Sequence, residues 1–335
     1  MVILPFENIG GQQVGWDFIL DKIKSVLVEK GYAVISGDEI EPYLLEDRIR
    51  DTSNVSQEFI SKIGKLTGAA YVLVGMIDIV VVSEENPQFG LSARVLSAED
   101  SSILWADYLG STGDSTKMIL GLGNIKSLKK LITKVVKKVF ASIPSAGKAF
   151  LRRSFLHRLS FARFFPNVDY YYSSDFLKKV KNFKIAVLPF ENLSERRGAG
   201  KVLRDIFLVS LFKYSTFEVI DSGRVKNAIV KYKVWPYGGV DIEGLQKVKA
   251  ALDADAVIVG VVEDYNEGLR KRGVTSSPEI SVYARMIDTK DGKIIWTSED
   301  SAKGEDTQIV LDFGVIKSAV ELAKHITRKM VFSMR

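Results

Sequence analysis

The sequence predicts an α/β protein of the layered α+β type, made of two tandem copies of one domain with a mixed sheet. The first observation is a repeated pentapeptide, Leu-Pro-Phe-Glu-Asn, which occupies Leu4–Asn8 and again Leu188–Asn192 and ends an apolar run each time. The second is that further matches follow in the same order, at offsets of 184 to 191 residues. They pair Tyr32–Ile35 with Phe217–Ile220, Val72–Gly75 with Val257–Gly260, Pro87 with Pro278, Ala93-Arg94 with Ala284-Arg285, Ile103–Trp105 with Ile294–Trp296, and Gly113 with Gly304. Ordered matches with one change of length indicate a duplicated domain.

Each copy is predicted to run β-α-β-α-β-β-β-α, beginning with a short strand and a helix. The strand of copy one ends at Leu4, because Pro5 then removes a backbone donor. The helix that follows is stopped by Gly31. Its apolar residues recur at helical spacing, and they are Trp16, Ile19, Leu20, Ile23, Val26 and Leu27.

The remainder of copy one alternates strands and helices in the same way. A short strand covers 32–35, and a helix covers 56–66. The run 70–82 is β-branched and nearly continuous, as expected of a strand that is buried on both faces. A hairpin joins 89–96 to 103–110, and a last helix spans 116–142. The apolar face of that helix contains Leu122, Ile125, Leu128, Ile132, Val135 and Val139.

Copy two repeats this plan. Its predicted elements are a first helix with Leu203, Ile206, Phe207 and Leu211, a strand with Val219, a helix over 242–252, a strand over 256–263, and a hairpin over 279–302. The final helix has a clean 3.6-residue period, with apolar residues at Ile309, Phe313, Ile316, Val320, Ala323, Ile326 and Met330.

These patterns divide the chain into copy one at 1–143, a linker at 144–183, and copy two at 184–335. The linker is basic and rich in phenylalanine and tyrosine. It is too apolar for a free flexible segment, so we expect it to pack against a domain or a partner.

Composition excludes several classes of protein. The hydrophobic and charged fractions, 46% and 26%, are those of a globular chain. No apolar run approaches the roughly 20 residues that a transmembrane helix needs. Cysteine is absent, and neither His157 nor His325 has a second ligand at metal-binding spacing. We therefore expect no metal, no cofactor and no catalytic residue.

Two features resemble enzyme motifs. Arg197–Lys201 follows a strand and opens a helix, but Glu195 and Val202 stand where a phosphate-binding loop needs glycine and a hydroxyl residue. This pattern favours a flexible helix start.

Glu-Asn closes the repeated pentapeptide at a strand end, where α/β sites often lie. An asparagine that shapes the turn into the next helix explains both copies at once.

The net charge of +6 is concentrated in one place, because 115–168 contains twelve lysines and arginines and no acidic residue. Six of the lysines are predicted on one helix, opposite or beside its apolar face. The candidate contact residues are Lys126, Lys129, Lys130, Lys134, Lys137, Lys138, Arg152, Arg153, Arg158 and Arg163. A basic amphipathic helix can meet an acidic protein surface or lie on an anionic membrane. Basic residues interleaved with aromatics also fit nucleic acid.

Four segments of copy two, Ile185–Asn192, Ala254–Gly260, Ala284–Asp288 and Gly292–Trp296, resemble the TolB N-terminal-like group. That group includes the curli-secretion lipoprotein CsgG and the lipoprotein activators of penicillin-binding proteins. Copy one matches more loosely, with Ser101 at the position of the hairpin glycine. The resemblance implies a non-enzymatic domain of the bacterial envelope that contacts other proteins. The chain departs from the group in having no lipid-carrying cysteine and in carrying two domains in tandem.

We therefore predict a non-enzymatic cell-envelope protein, periplasmic or associated with the outer membrane, that acts in protein–protein interaction or assembly of secretion or cell-wall machinery. Its expected partners are other envelope proteins or a second copy of itself. An anionic membrane surface is a further expected partner, and nucleic acid is less favoured. The alternative function is binding of nucleic acid or an anionic membrane through residues 117–163. Copy one lacks the polar lead-in that precedes copy two, so we expect a signal region upstream of Met1.

Overall fold

The structure is a computed structural model that describes residues 1–114, 124–150, 168–177, 179–180, 183–237, 240–268, 270–271, 274–307 and 315–334. The chain forms two compact units, Met1–Arg152 and Arg153–Arg335. Each unit contains a mixed sheet with helices packed on it, which confirms the predicted α+β fold with two similar domains.

The first unit is built around one sheet. Its elements are β1 (Val2–Ile3), β2 (Glu7–Asn8), α1 (Trp16–Glu29), β3 (Ile35–Ser36), α2 (Glu41–Glu46), α3 (Gln57–Thr67), β4 (Tyr71–Val81), β5 (Gln88–Ser97), β6 (Ile103–Thr112) and α4 (Leu128–Phe140). The strand order is β3-β1-β4-β5-β6, and β2 also pairs with β4. Pairing is parallel from β3 to β4 and antiparallel from β4 to β6. The apolar faces of α1 and α4 pack on this sheet and form the core.

The second unit repeats the arrangement and adds a strand from the linker. Its elements are β7 (Tyr170–Ser173), β8 (Lys184–Val187), β9 (Glu191–Asn192), α5 (Ala199–Tyr214), β10 (Glu218–Val219), α6 (Ser222–Tyr232), α7 (Ile242–Leu252), β11 (Ala256–Asn266), β12 (Arg270–Lys271), β13 (Val274–Thr275), β14 (Glu279–Asp288), β15 (Ile294–Lys303) and α8 (Ala319–Phe332). The strand order is β10-β8-β11-β14-β15-β7, and β9 pairs with β11. Helices α5 and α8 pack together, while α6 and α7 cover a separate apolar cluster.

The two copies share their irregularities as well as their order. Register shifts fall at Ile77/Ile79 in β4 and Val262/Asp264 in β11, and again at Val95/Leu96 in β5 and Met286/Ile287 in β14. In each copy a tryptophan of the last strand donates from Nε1 to a serine hydroxyl just after the last helix. Trp105 bonds Ser142 at 2.9 Å, and Trp296 bonds Ser333 at 3.0 Å. A bulge is a specific feature of a fold, so its repetition supports the duplication.

The predicted last helix begins later than its apolar spacing indicates. Residues 116–123 lie outside the described residues, but 124–127 are not helical, and α4 begins at Leu128 after the N-cap Ser127. The cause is a backbone bond, because the Ile125 N–H donates to the Gly113 carbonyl at 2.8 Å. Copy two does the same with Ile316 and Gly304, at 3.0 Å. The predicted helical positions of Ile125 and Ile316 are therefore wrong.

Other elements differ from the prediction in smaller ways. The second strand of copy one is β3 at Ile35–Ser36 rather than 32–35. Helix α6 was not predicted, although Asp221 caps it by accepting from the Gly223 N–H at 2.8 Å. Strand β7 lies in the segment that the sequence assigns to neither copy, and it pairs antiparallel with β15. Its pairing joins residues more than a hundred positions apart, which local pattern does not reveal.

Candidate functional site

The repeated pentapeptide forms the same turn in both units. In copy one the side chain of Asn8 accepts from the Gly10 N–H at 2.9 Å and donates to the Gln12 carbonyl at 3.0 Å. In copy two Asn192 accepts from the Ser194 N–H at 3.3 Å and donates to the Arg196 carbonyl at 3.0 Å. An asparagine that bonds nearby backbone in this way fixes a turn. The prediction that these asparagines shape the turn is confirmed.

The second unit has a cleft of about 680 Å³ beside this turn. It is lined by Phe190, Glu191, Asn192, Gly198, Gly200, Lys201, Trp235 and Tyr237. The cleft lies just beyond the carboxyl end of β8, which pairs with β10 on one side and β11 on the other. Ligand sites of open α/β sheets form where the strand order reverses in this way.

The glycines of the cleft have a structural reason. Gly198 precedes α5 with a φ of +78°, in the left-handed region. A Cβ on Gly200 would collide with the carbonyl oxygen of Phe190. Copy one has Trp16 at the position that aligns with Gly200, and its indole packs on Phe6 with ring centroids 5.2 Å apart. Close contact between the start of α5 and the segment that joins β8 to β9 therefore accounts for Gly200.

The predicted lysines of α4 lie on one side of the helix, where Lys134 is partly buried and the others are exposed. We define the lysine face as Lys129, Lys130, Lys134, Lys137 and Lys138. The opposite side of α4 is buried in the core through Leu131, Ile132, Val135, Val136, Val139 and Phe140. The apolar side of this helix therefore packs on its own sheet, and the charged side is left to solvent or a partner.

The lysine face lacks compensating charge. Within the described ranges, none of its lysines forms an ion pair with an acidic side chain. Partial burial, and then the charge of Lys138, lower the pKa of Lys134. Lys129 lies over the ring of Phe18, with Nζ 5.7 Å from the centroid, and Lys22 lies 5.1 Å from the same ring. Like charges are thus held close together, which favours an anionic partner.

The remaining candidate contact residues are placed differently. Lys126 is exposed but lies in the segment before the N-cap of α4, so its predicted position on the helix is wrong. Lys117, Arg152, Arg153, Arg158 and Arg163 lie outside the described residues, as do His157 and the segment 115–123.

The described residues hold no group of three or more histidines and carboxylates placed to bind a metal ion. The helices that the structure describes include none that is long and apolar enough to cross a membrane. His325 lies half-buried on α8, where burial, and then Lys329 and Arg328, lower its pKa.

The turn between α6 and α7 is an exposed feature that was not predicted from the sequence. It carries Trp235 and Tyr237, which line the cleft. A usable signal was present, because 222–240 contains four lysines and arginines, three aromatic residues and no acidic residue.

No family model matches this sequence, and no curated protein matches it. Among solved structures, the chain is similar to the PelC dodecamer from Paraburkholderia phytofirmans, at 16% identity over 49% of this chain and 94% of that chain, with a TM-score of 0.34. It is also similar to lipoprotein GNA1162 from Neisseria meningitidis, at 19% identity over 36% and 82%, with a TM-score of 0.30. A third is the LpoB C-terminal domain from Salmonella enterica, at 13% identity over 38% and 87%, with a TM-score of 0.28. At such scores these likenesses assign no family, so the resemblance to the TolB N-terminal-like group stays a prediction.

Proposed function

We propose that this chain is a non-enzymatic protein of the bacterial cell envelope, periplasmic or associated with the outer membrane, that works by binding an acidic surface of another protein. The lysine face carries the proposal. It is a cluster of basic side chains on a helix whose other side is buried in the core, and within the described residues none of these lysines forms an ion pair with an acidic side chain. Complementary charge accelerates and orients protein association.

The envelope location rests on the sequence motifs that copy two has in common with the TolB N-terminal-like group. The absence of enzymatic activity rests on the repeated turn, whose asparagine side chains are engaged with backbone in both copies. A duplicated structural turn needs no catalytic role. The partner is another envelope protein or a second copy of this chain, in an assembly of secretion or cell-wall machinery.

Charge reversal on the lysine face tests this proposal. The double variant Lys130→Glu, Lys137→Glu places two acidic groups on the face, and both positions are exposed. The matched control Lys65→Glu, Lys249→Glu makes the same change in net charge at exposed positions on α3 and α7. Like-charge contacts cost several kcal/mol. We therefore expect the first variant to lose its partner from envelope extract by about tenfold or more, while the control retains it.

Binding to nucleic acid or to an anionic membrane through 117–163 is the second candidate, and the same face supports it. Duplex DNA and anionic vesicles, each titrated across a salt series, separate these ligands from a protein. A polyanion ligand predicts affinity that falls steeply with salt. If both charge variants lose the protein partner equally, the proposal that the lysine face binds this partner is contradicted. If both variants lose DNA binding, the proposal that DNA binds through the lysine face is contradicted.

A further inference from the structure

The turn between α6 and α7 projects two aromatic rings from the second unit. Trp235 is 72% exposed, and its ring packs edge-to-face on Tyr237, with centroids 5.4 Å apart. A tryptophan this exposed is unusual, because burying it stabilises a fold by several kcal/mol. The exposure of Trp235 therefore indicates a role in binding and not in stabilising the fold.

The backbone of the turn holds these rings outward. Val234 and Pro236 are buried and alternate with the two exposed rings. Lys233, with a φ of +52°, ends α6 in the left-handed region and reverses the chain. A Cβ on Gly244 would lie 3.3 Å from Val234, so the start of α7 closes against the inner side of the turn. Because Val234 and Pro236 occupy the buried side of the turn, the rings of Trp235 and Tyr237 lie on its exposed side.

Further apolar side chains surround the pair. Val230 near the end of α6 is 69% exposed, and Ile242 at the start of α7 is 65% exposed. Tyr232 is 38% exposed. Single exposed apolar residues are ordinary, but five of them lie on one turn and the adjoining helix ends, and such a concentration is typical of an interaction site.

The charge beside the two rings is basic on the α6 side, whereas the exposed Asp241 and Glu243 flank Ile242 at the start of α7. Lys231 and Lys233 are exposed and, in the part of the chain that the structure describes, form no ion pair. Residues 222–240 contain no aspartate or glutamate. Tryptophan and tyrosine are enriched where a protein meets the boundary between lipid headgroups and hydrocarbon, and flanking lysines favour anionic lipid. A projecting turn of this composition has the shape for shallow insertion.

We propose that the α6–α7 turn docks the second unit on an anionic lipid bilayer, with Trp235 and Tyr237 inserted at the headgroup boundary and Lys231 and Lys233 on the acidic headgroups. The proposal is independent of the lysine face, which lies on α4 and for which we propose a protein partner. The occupant here is the bilayer surface, because its apolar boundary and its acidic headgroups match the two exposed rings and the two lysines beside them.

Flotation of the full chain with vesicles of equal parts phosphatidylglycerol and phosphatidylcholine tests this inference, with pure phosphatidylcholine vesicles alongside. We expect the parent to float with the anionic vesicles at low salt. The double variant Trp235→Ala, Tyr237→Ala should bind roughly tenfold more weakly or worse. Lys231→Ala and Lys233→Ala should each weaken binding about fivefold. All four side chains are exposed, so the variants are expected to keep their circular dichroism spectra.

Two controls separate this turn from other causes. Leu45→Ser changes a side chain that is 70% exposed on α2 and should leave vesicle binding unchanged. Lys130→Glu, Lys137→Glu should lose the protein partner and keep at least most of the vesicle binding. A blue shift of tryptophan fluorescence on binding, absent in Trp235→Phe, would place the ring in lipid.

Several outcomes would overturn the inference. The first is a parent chain that does not float with anionic vesicles at low salt. The second is an aromatic double variant that floats as well as the parent. The third is release of the parent from vesicles by soluble glycerophosphoglycerol, which would make the cleft beside Trp235 a small-molecule site and not a bilayer contact.

Discussion

The ring of Phe190 packs on the Cα of Gly260 so closely that a Cβ on that glycine would lie 2.8 Å from three ring atoms. The same relationship joins Phe6 to Gly75 in copy one. One residue of each pair belongs to the repeated pentapeptide, and the other interrupts the longest β-branched strand of its copy. The repeated pentapeptide and the repeated strand glycine, which both indicate the duplication, therefore pack against each other in each copy.

This contact predicts the cost of filling either glycine. Gly260→Ala forces a Cβ into the Phe190 ring, and Gly75→Ala does the same to Phe6, so each should lower the free energy of unfolding by about 1 to 3 kcal/mol. Urea unfolding of the full chain measures the change. In the Gly75→Ala background, Phe6→Leu should cost less than it does alone, because the two residues share the space.

Gly15→Ala is the matched control, since a Cβ there would meet nothing within 4 Å. Its effect should stay within about 0.5 kcal/mol. Equal effects at Gly15 and Gly260 would contradict the packing account of the repeated glycine.

The hairpin turn of copy one is predicted to gain stability from glycine. Ser101 has a φ of +59°, whereas the aligned residue of copy two is Gly292 with a φ of +73°. The buried Ser101 hydroxyl also has no hydrogen-bond partner among the described residues. Ser101→Gly should therefore raise the free energy of unfolding by about 0.5 to 1 kcal/mol, and Gly292→Ser should lower it. Thermal or urea unfolding that moves both variants in the same direction would contradict this explanation.

Asp300 is predicted to make stability depend on pH. Its carboxylate is buried 2.8 Å from Lys329. Burial raises its pKa from 3.8 to about 6, Lys329 opposes that shift, and Asp169 adds to it. The folded state then holds a proton that the unfolded chain releases, so the free energy of unfolding falls as pH rises from about 4 to about 6. The shift corresponds to at most about 3 kcal/mol.

Urea unfolding of the parent and of Asp300→Asn at several pH values measures how much Asp300 contributes to the pH dependence of the free energy of unfolding. The stability of the parent relative to the variant should fall across that pH range. Asp253→Asn is the control with the opposite sign, because a hydrogen bond from Lys184 lowers the pKa of the exposed Asp253. A parent-to-variant difference at Asp300 that rises with pH would contradict the raised pKa.

The long strands and most helices were predictable because their apolar patterns are local. Helix α3 follows its predicted range closely, and helix α7 matches its range of 242–252. The starts of α4 and α8 were not predictable. Ile125 and Ile316 keep helical spacing in the sequence, but a bond from each amide to a distant glycine carbonyl holds the backbone outside the helix.

The lysine face was largely predictable, because charges at helical spacing opposite an apolar face occupy the outer side. Lys126 was not, since it depends on where α4 begins. The exposure of Trp235 was also beyond the sequence. It requires Val234 and Pro236 to be buried on the inner side of the turn, which is a result of tertiary packing. Composition alone would have placed a tryptophan in the core.

Photo-cross-linking in living cells determines whether the lysine face contacts a protein of the envelope. In one variant a photo-reactive residue replaces Lys137 on the lysine face. In a control variant it replaces the exposed Lys65. We predict a discrete protein adduct at position 137 that is recovered in the envelope fraction and disappears with Lys130→Glu, and no such adduct at position 65. Adducts only with nucleic acid, or none at position 137 in the envelope fraction, would contradict an envelope protein that binds its partner through this face.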